Sequence, residues 1–199
     1  MSGRLRILKP STFVKKKHDH FILRTNKDHY VVFNDSRRFG YLDYGKTDII
    51  FEKKYFLNLG PDALGNKLTD KYLFSKISKS LVPIKQILLD QRIIAGIGNI
   101  YASEILFNAK ISPLEKGKDL SVKECQQLII STRRILKKAI KAGGSTLRDY
   151  VSTDGTIGNF QNNFRVYNRL GKKISGHSII KIIQYGRSTY YCPGIQKNK

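Results

Sequence analysis

The sequence predicts an α+β fold in three parts: a partial β-sandwich at the N-terminus, a helical middle, and a C-terminal β-hairpin finger. Three observations carry this. Short runs of alternating apolar and polar residues precede residue 45. Apolar residues then recur at helical spacing as far as Ile140. The last stretch returns to β-branched and aromatic residues punctuated by glycine.

In order, Leu5 and Ile7 alternate with Arg4 and Arg6 and predict a half-buried strand. Phe21–Thr25 and His29–Phe33 predict two strands around an Asn26-Lys27-Asp28 turn, and Phe39–Tyr44 predicts another. These strands account for only part of a sandwich. Thr69 is placed to cap a helix carrying Tyr72, Leu73 and Ile77. Pro83 opens a helix with Ile84, Ile87 and Leu88 on one face, and Gly96 and Gly98 break it with a bare-backbone turn. Asn99 is the expected N-cap of the next helix, whose apolar positions are Ile100, Ile105, Leu106 and Ala109. A helix start fronted by glycines, with Lys85 and Arg92 nearby, suits a phosphate. Ser121 and Glu124 form a capping box before a long helix with Leu128, Ile129, Thr132, Ile135, Leu136 and Ile140 inward and Cys125 in its first turn. Gly143-Gly144 stop it, and Ser145 or Thr146 starts a short one. Strands are expected at Phe164–Tyr167, Ile179–Gln184 and Ser188–Cys192.

Charge narrows the partner. The 199 residues carry 37 Lys plus Arg against 15 Asp plus Glu, a formal net charge of +22. Such an excess points to a polyanion, nucleic acid before an anionic membrane, because neutralising phosphates releases counterions. A lysine- and isoleucine-rich background composition explains part of the charge but not the motifs. No apolar run reaches the roughly 20 residues of a spanning helix, and the opening Met1–Arg6 has no signal-peptide core. Two cysteines make no disulfide framework, so a reducing cytoplasm is expected.

Two clusters allow more than one reading from the residues alone. His18-Asp19-His20 is either a metal pair or a hydrogen-bonded structural cluster, and the absence of a third ligand favours the second. Arg37-Arg38-Phe39 is either a surface ion pair beside a core phenylalanine or a device for reading a base edge and wedging between bases.

The run Gln91–Phe107, with Lys85, resembles the helix–two-turns–helix of the formamidopyrimidine-DNA glycosylases and their endonuclease VIII relatives. Met1–Leu8, His18–His20, Asp35–Gly40, Leu59–Leu64, Gly143–Tyr150 and Gly186–Pro193 resemble that family in the same order. The resemblance implies a division into a remnant of the catalytic β-sandwich (1–56), a linker (57–64), a helix–two-turns–helix domain (65–160) and a zinc-finger-like hairpin (161–199). It also implies base-excision repair: removal of oxidised purines such as 8-oxoguanine and formamidopyrimidines, then cutting of abasic sites by β,δ-elimination. The partner would be double-stranded DNA with an oxidised base or abasic site, met by a monomer in the cytoplasm at the nucleoid, with no membrane role. Met1, Arg37, Phe39, Lys85, Asn99 and Arg187 fall on the family's DNA-binding positions. Met1 and Phe39 would insert into the duplex, Arg37 would read the orphaned base, and Arg187 would grip the flanking phosphates. The loop Ser152–Phe160 would close over the extruded base.

Two departures follow from the same resemblance. The family's proline nucleophile, its neighbouring glutamate and an assisting lysine align ahead of Met1, so no catalytic residue is expected among these 199. A non-catalytic protein that binds damaged DNA is therefore the alternative; ribosomal RNA binding is a weaker one, opposed by Arg37-Arg38-Phe39 and Arg187. The family's zinc is held by two Cys-x-x-Cys pairs, but here Ile174 and His177 stand for the first pair and Cys192 and Ile195 for the second. Structural zinc wants four ligands. His177 and Cys192 are read as degenerate remnants, no zinc or other cofactor is expected, and packing of Ile179, Ile180, Ile182, Ile183, Ile195 and Tyr190 is expected to hold the finger.

Overall fold

Alternation in the first 35 residues resolves into three antiparallel strands, β1 (Arg4–Leu8), β2 (Asp19–Arg24) and β3 (Tyr30–Asn34), in the order β1-β3-β2. The computed structural model describes residues 3–145 and 158–198. Five α-helices follow among the described residues: α1 (Lys54–Leu57), α2 (Asp70–Ile77), α3 (Ile84–Leu89), α4 (Asn99–Ala109) and α5 (Val122–Lys141). Two small hairpins close the chain, β4 (Lys173–Ile174) with β5 (His177–Ser178), and β6 (Ile180–Gln184) with β7 (Arg187–Tyr191). Chain contacts divide the protein into two units. One takes residues up to Ile50 together with 139–163, the other residues 51–138 and those from 164 on.

In the first unit the register pairs Leu5, Phe33 and Phe21, then Ile7, Val31 and Leu23, so these six share one sheet face. This apolar face is open: Leu5 and Ile7 are 47% and 50% exposed, and Phe21 and Leu23 are 41% and 49% exposed. The opposite face is better covered, with Val32 fully buried among polar neighbours. There Arg6 donates to both Asp19 carboxylate oxygens at 2.7 and 2.9 Å, and Lys16 N–H and Asn34 Nδ2 add bonds of 2.8 Å each. Burial pushes the Asp19 carboxyl up, but these bonds outweigh it and hold it below the usual carboxylate range. His20 Nε2 lies 2.9 Å from the Asp35 carbonyl oxygen. Asp19 and His20 are thus committed to the sheet, as the structural reading of that cluster required. Phe39–Tyr44 is not the strand expected there, and Gly40 N–H is drawn to the Asp35 carboxylate at 2.8 Å. Gly143 and Gly144 take left-handed φ of 73° and 84° and end α5. Its last turn departs from expectation: Ile140 is 66% exposed and Ala139 is the buried residue. Ser145 bridges Asn159, and Phe160 is buried. Residues 146–157 lie outside the described residues, and with them the helix expected at Thr146 and most of the loop expected over the extruded base.

The second unit holds the main core. Leu68, Leu73, Ile77, Ile84, Leu88, Ile94, Ile105, Leu106 and Leu128 are fully buried. The caps are those the sequence announced: Thr69 Oγ1 accepts from Tyr72 N–H at 3.1 Å, and Ser121 and Glu124 exchange bonds before α5. The stretch expected to be a linker is laid along the turn after α3. Gly60 N–H donates to Gln91 O, and Ala95 N–H to Pro61 O. A Cβ at Gly60 would stand 2.5 Å from the Ile93 backbone, so only glycine allows this approach.

Candidate nucleic-acid interface

The turn between α3 and α4 is braced from inside. Gly96 adopts φ 98°, a left-handed value natural to glycine. The Gln91 side chain spans the turn: its Oε1 accepts from Gly96 N–H at 2.8 Å and its Nε2 donates to Ile97 O at 3.0 Å. Arg92 does not reach an open anion site. It folds onto Asp90 at 2.7 Å, and that pairing raises the Arg92 guanidinium and lowers the Asp90 carboxyl.

Gly98, not Asn99, is the N-cap of α4. Asn99 is the first helical residue, and its side chain is drawn away from the capping position by two other elements. Its Oδ1 accepts from Lys85 Nζ at 2.7 Å, and its Nδ2 donates to Ser188 O at 3.0 Å and lies 3.4 Å from the Tyr167 hydroxyl. Lys85 is 1% exposed. Its ammonium also donates to Thr189 Oγ1 at 2.7 Å and Ser188 O at 3.2 Å, which makes three bonds for three protons. Burial first, and the nearby Arg187 charge second, bring Lys85 down from 10.5 to about 8.

Arg187 opens β7 immediately after a two-residue turn. Tyr185 and Gly186 have φ of 48° and 72°, both left-handed, as the tight hairpin turn matching strand twist requires. The Arg187 side chain is exposed at this tip. The structure therefore brings Lys85, Asn99 and the strand bearing Arg187 together, with the leading N–H groups of α4 beside them; the first turn of a helix lacks intrahelical acceptors and favours anions.

The segment after residue 163 is not the strand expected at Phe164–Tyr167. Glu104, 1% exposed on α4, takes its backbone instead. Oε2 accepts from Arg165 N–H at 2.9 Å, and Oε1 from Val166 and Tyr167 N–H at 3.0 and 2.8 Å. With three successive N–H groups turned onto one carboxylate, no ladder can form. Tyr167 then packs its ring, tilted by 60°, at 5.0 Å from that of Tyr190 on β7. Sequence reasoning missed Glu104 and Thr189. The signal for Glu104 was a carboxylate inside the apolar run Ala102–Leu106; Thr189 gave none.

In the other unit, Asp35 organises the turn that carries Arg37 and Phe39. It is buried and accepts from Arg37 and Gly40 N–H. Arg38 takes φ 56°, and the Arg37 guanidinium lies 5.2 Å from the centre of the Phe39 ring. Phe39 is 69% exposed, so it is not a core residue. Met1 lies outside the described residues.

The residues of the finger do not fit a tetrahedral zinc. Cys192 is fully buried with Val166, Ile179 and Tyr190, and Ile174 and Ile195 pack on that cluster where thiolates would be needed. The Cys192 thiol donates to His177 O at 3.6 Å, and the His177 ring lies so close to Gly194 that a side chain there would collide with it. Gln196 clamps the same end: its Oε1 accepts from Cys192 N–H and its Nε2 donates to Ile111 O, both at 2.9 Å. Of the residues expected to hold the finger, Ile183 does not, being 65% exposed on the outer side of β6.

Comparison with known proteins bears on this geometry. Residues 59–151 match the formamidopyrimidine-DNA glycosylase H2TH domain. A formamidopyrimidine-DNA glycosylase of Zymomonas mobilis is 46% identical over 198 residues, covering 99% of this chain and 72% of the relative. That of Rickettsia bellii is 44% identical over 199 residues, covering 99% and 72%. Among solved structures, the complex of the Lactococcus lactis Fpg with DNA containing an abasic site superposes with a TM-score of 0.88 at 36% identity, covering 99% of this chain and 72% of that one.

Proposed function

This chain belongs to the formamidopyrimidine-DNA glycosylase family, and on that premise we propose that it serves DNA base-excision repair on oxidised purines and abasic sites. Its partner is damaged double-stranded DNA, the ligand in the complexes that resemble it. The observation that carries the reading is the tie that buried Lys85 makes between the α4 start and the Arg187 hairpin, which sets a helix N-terminus beside an exposed arginine.

The roles divide by what each group has free. Arg187, exposed at its tip, takes the phosphates flanking the lesion. Asn99 and Lys85 contribute through the first-turn amides of α4 and a charge held close behind them, because their side-chain donors are occupied. Arg37 reads the base left opposite the extruded one; Phe39 and Met1 are the wedge. The segments 1–56, 57–64, 65–160 and 161–199 serve as wedge, linker, helical grip and hairpin grip. The protein works as a monomer in the bacterial cytoplasm, at the nucleoid. Among the described residues no helix is long and apolar enough to cross a membrane.

These residues are assigned to gripping the duplex, so binding and bond cleavage need separate readouts. The experiment is borohydride trapping on a duplex with one 8-oxoguanine or one abasic site, beside a gel shift. A shift that prefers the lesion duplex is expected. A covalent adduct on the 8-oxoguanine duplex means that an amine of this chain removes the base and forms a Schiff base with the sugar, whereas a shift without adduct leaves the non-catalytic binder. No preference for damaged duplex overturns the proposal.

A further inference from the structure

Lys85 is an unusual tenant for a core. It is 1% exposed, and its ammonium has three neutral acceptors and no carboxylate. An ammonium buried in this way is costly, and an apolar residue of similar volume would pack more cheaply. What the lysine adds is direction: one acceptor is on α4 and two are on β7, more than 100 residues away in sequence. Thr189 is fully buried, so its hydroxyl cannot meet bound DNA. It stands two residues from Arg187 on the same strand, and such residues point to the same face. Whatever fixes Thr189 also fixes the base of the Arg187 side chain.

We propose that Thr189 and Lys85 are positioning residues, which lock the Arg187 strand to the start of α4 so that both present to neighbouring phosphates as one rigid unit. This rests on the reading above that Arg187 and α4 grip the duplex. A neutral Lys85 amine has only two N–H groups for three acceptors, so the lock loosens as pH rises through about 8. The charged or titratable groups on the two elements packed against it are Tyr101 and Glu104 on α4 and Arg187, Tyr190 and Tyr191 on β7. Glu104 is occupied by the backbone of residues 165–167, and Arg187 is the charge that lowers Lys85.

The test is fluorescence anisotropy of the 199-residue chain on a short duplex with one tetrahydrofuran abasic-site analogue, from about pH 7 to about 9.5. Thr189→Val is expected to weaken binding about tenfold, the weight of one charge-assisted hydrogen bond, and Thr189→Ser to restore it. Added to Arg187→Ala, Thr189→Val should cost nothing further, since the two act as a unit. Wild-type affinity should fall through about pH 8 and that of Lys85→Met should not; this profile decides the matter should Thr189→Val fold poorly. Wild-type binding by Thr189→Val, beside a weakened Arg187→Ala, overturns the lock and leaves the grip standing. Wild-type binding by Arg187→Ala overturns the grip and the lock with it.

Discussion

Replacing Glu104 by glutamine tests how the C-terminal segment is held. The carboxylate accepts three backbone N–H bonds of 2.9, 3.0 and 2.8 Å with almost no solvent contact. Glutamine keeps one oxygen, enough for Val166 and Tyr167. Its NH2 group then faces the Arg165 N–H, donor against donor. One charge-assisted bond is lost, a buried donor is left unsatisfied, and two bonds lose their charge. At about 1.5 to 3 kcal/mol for a bond to a charged group, the net cost is about 2 to 3 kcal/mol. For a chain of this size that lowers the melting temperature by about 5 to 10 °C. Thermal melts followed by circular dichroism give the shift, and hydrogen exchange at residues 165–167 should show the same amides losing protection. A Glu104→Gln variant that melts with the wild type and keeps those amides protected would refute the assignment.

Three further outcomes follow from the same geometry. Because folding lowers the Lys85 pKa from 10.5 to about 8, the unfolded chain binds more protons between those values. Stability should therefore rise with pH across that window, by about 3 kcal/mol in the difference between wild type and Lys85→Met, as urea melts would record, while duplex affinity falls. A metal chelator should leave the melting temperature and duplex affinity unchanged, since Ile174 and Ile195 fill the places of two thiolates; a chelator-induced drop would place a metal there after all. Substituting threonine for Leu5, Ile7 and Leu23 should reduce aggregation in light scattering without loss of secondary structure, because these side chains lie on the open sheet face.

Much of this was legible in the residues, for physical reasons. Helix caps are local: Thr69 and the Ser121/Glu124 box act within three residues, and both were read correctly. Glycine turns are local too, and Gly143 and Gly144 stop α5 as expected. The failures share a cause: each involves a partner far away in the chain. Asn99 looked like a cap because capping is a local preference, but Lys85 and Ser188 compete for its amide. Phe164–Tyr167 has strand composition, but a carboxylate some 60 residues earlier takes its N–H groups. Leu5 and Ile7 alternate as a half-buried strand should, and their alternation does not say which face is covered. For the candidate site, the residue types were visible as a set, while the tie through Thr189 was not, since a strand threonine is an ordinary strand residue.

Arg187 is assigned to grip phosphate beside the start of α4. The most direct measurement is duplex affinity against salt concentration for wild type and Arg187→Ala, on abasic-site and undamaged duplexes of several sequences. Arg187→Ala is expected to bind about tenfold more weakly irrespective of sequence, with a log–log salt slope shallower by about 0.9, the signature of one phosphate contact removed. Superimposable salt lines for the two proteins would contradict it.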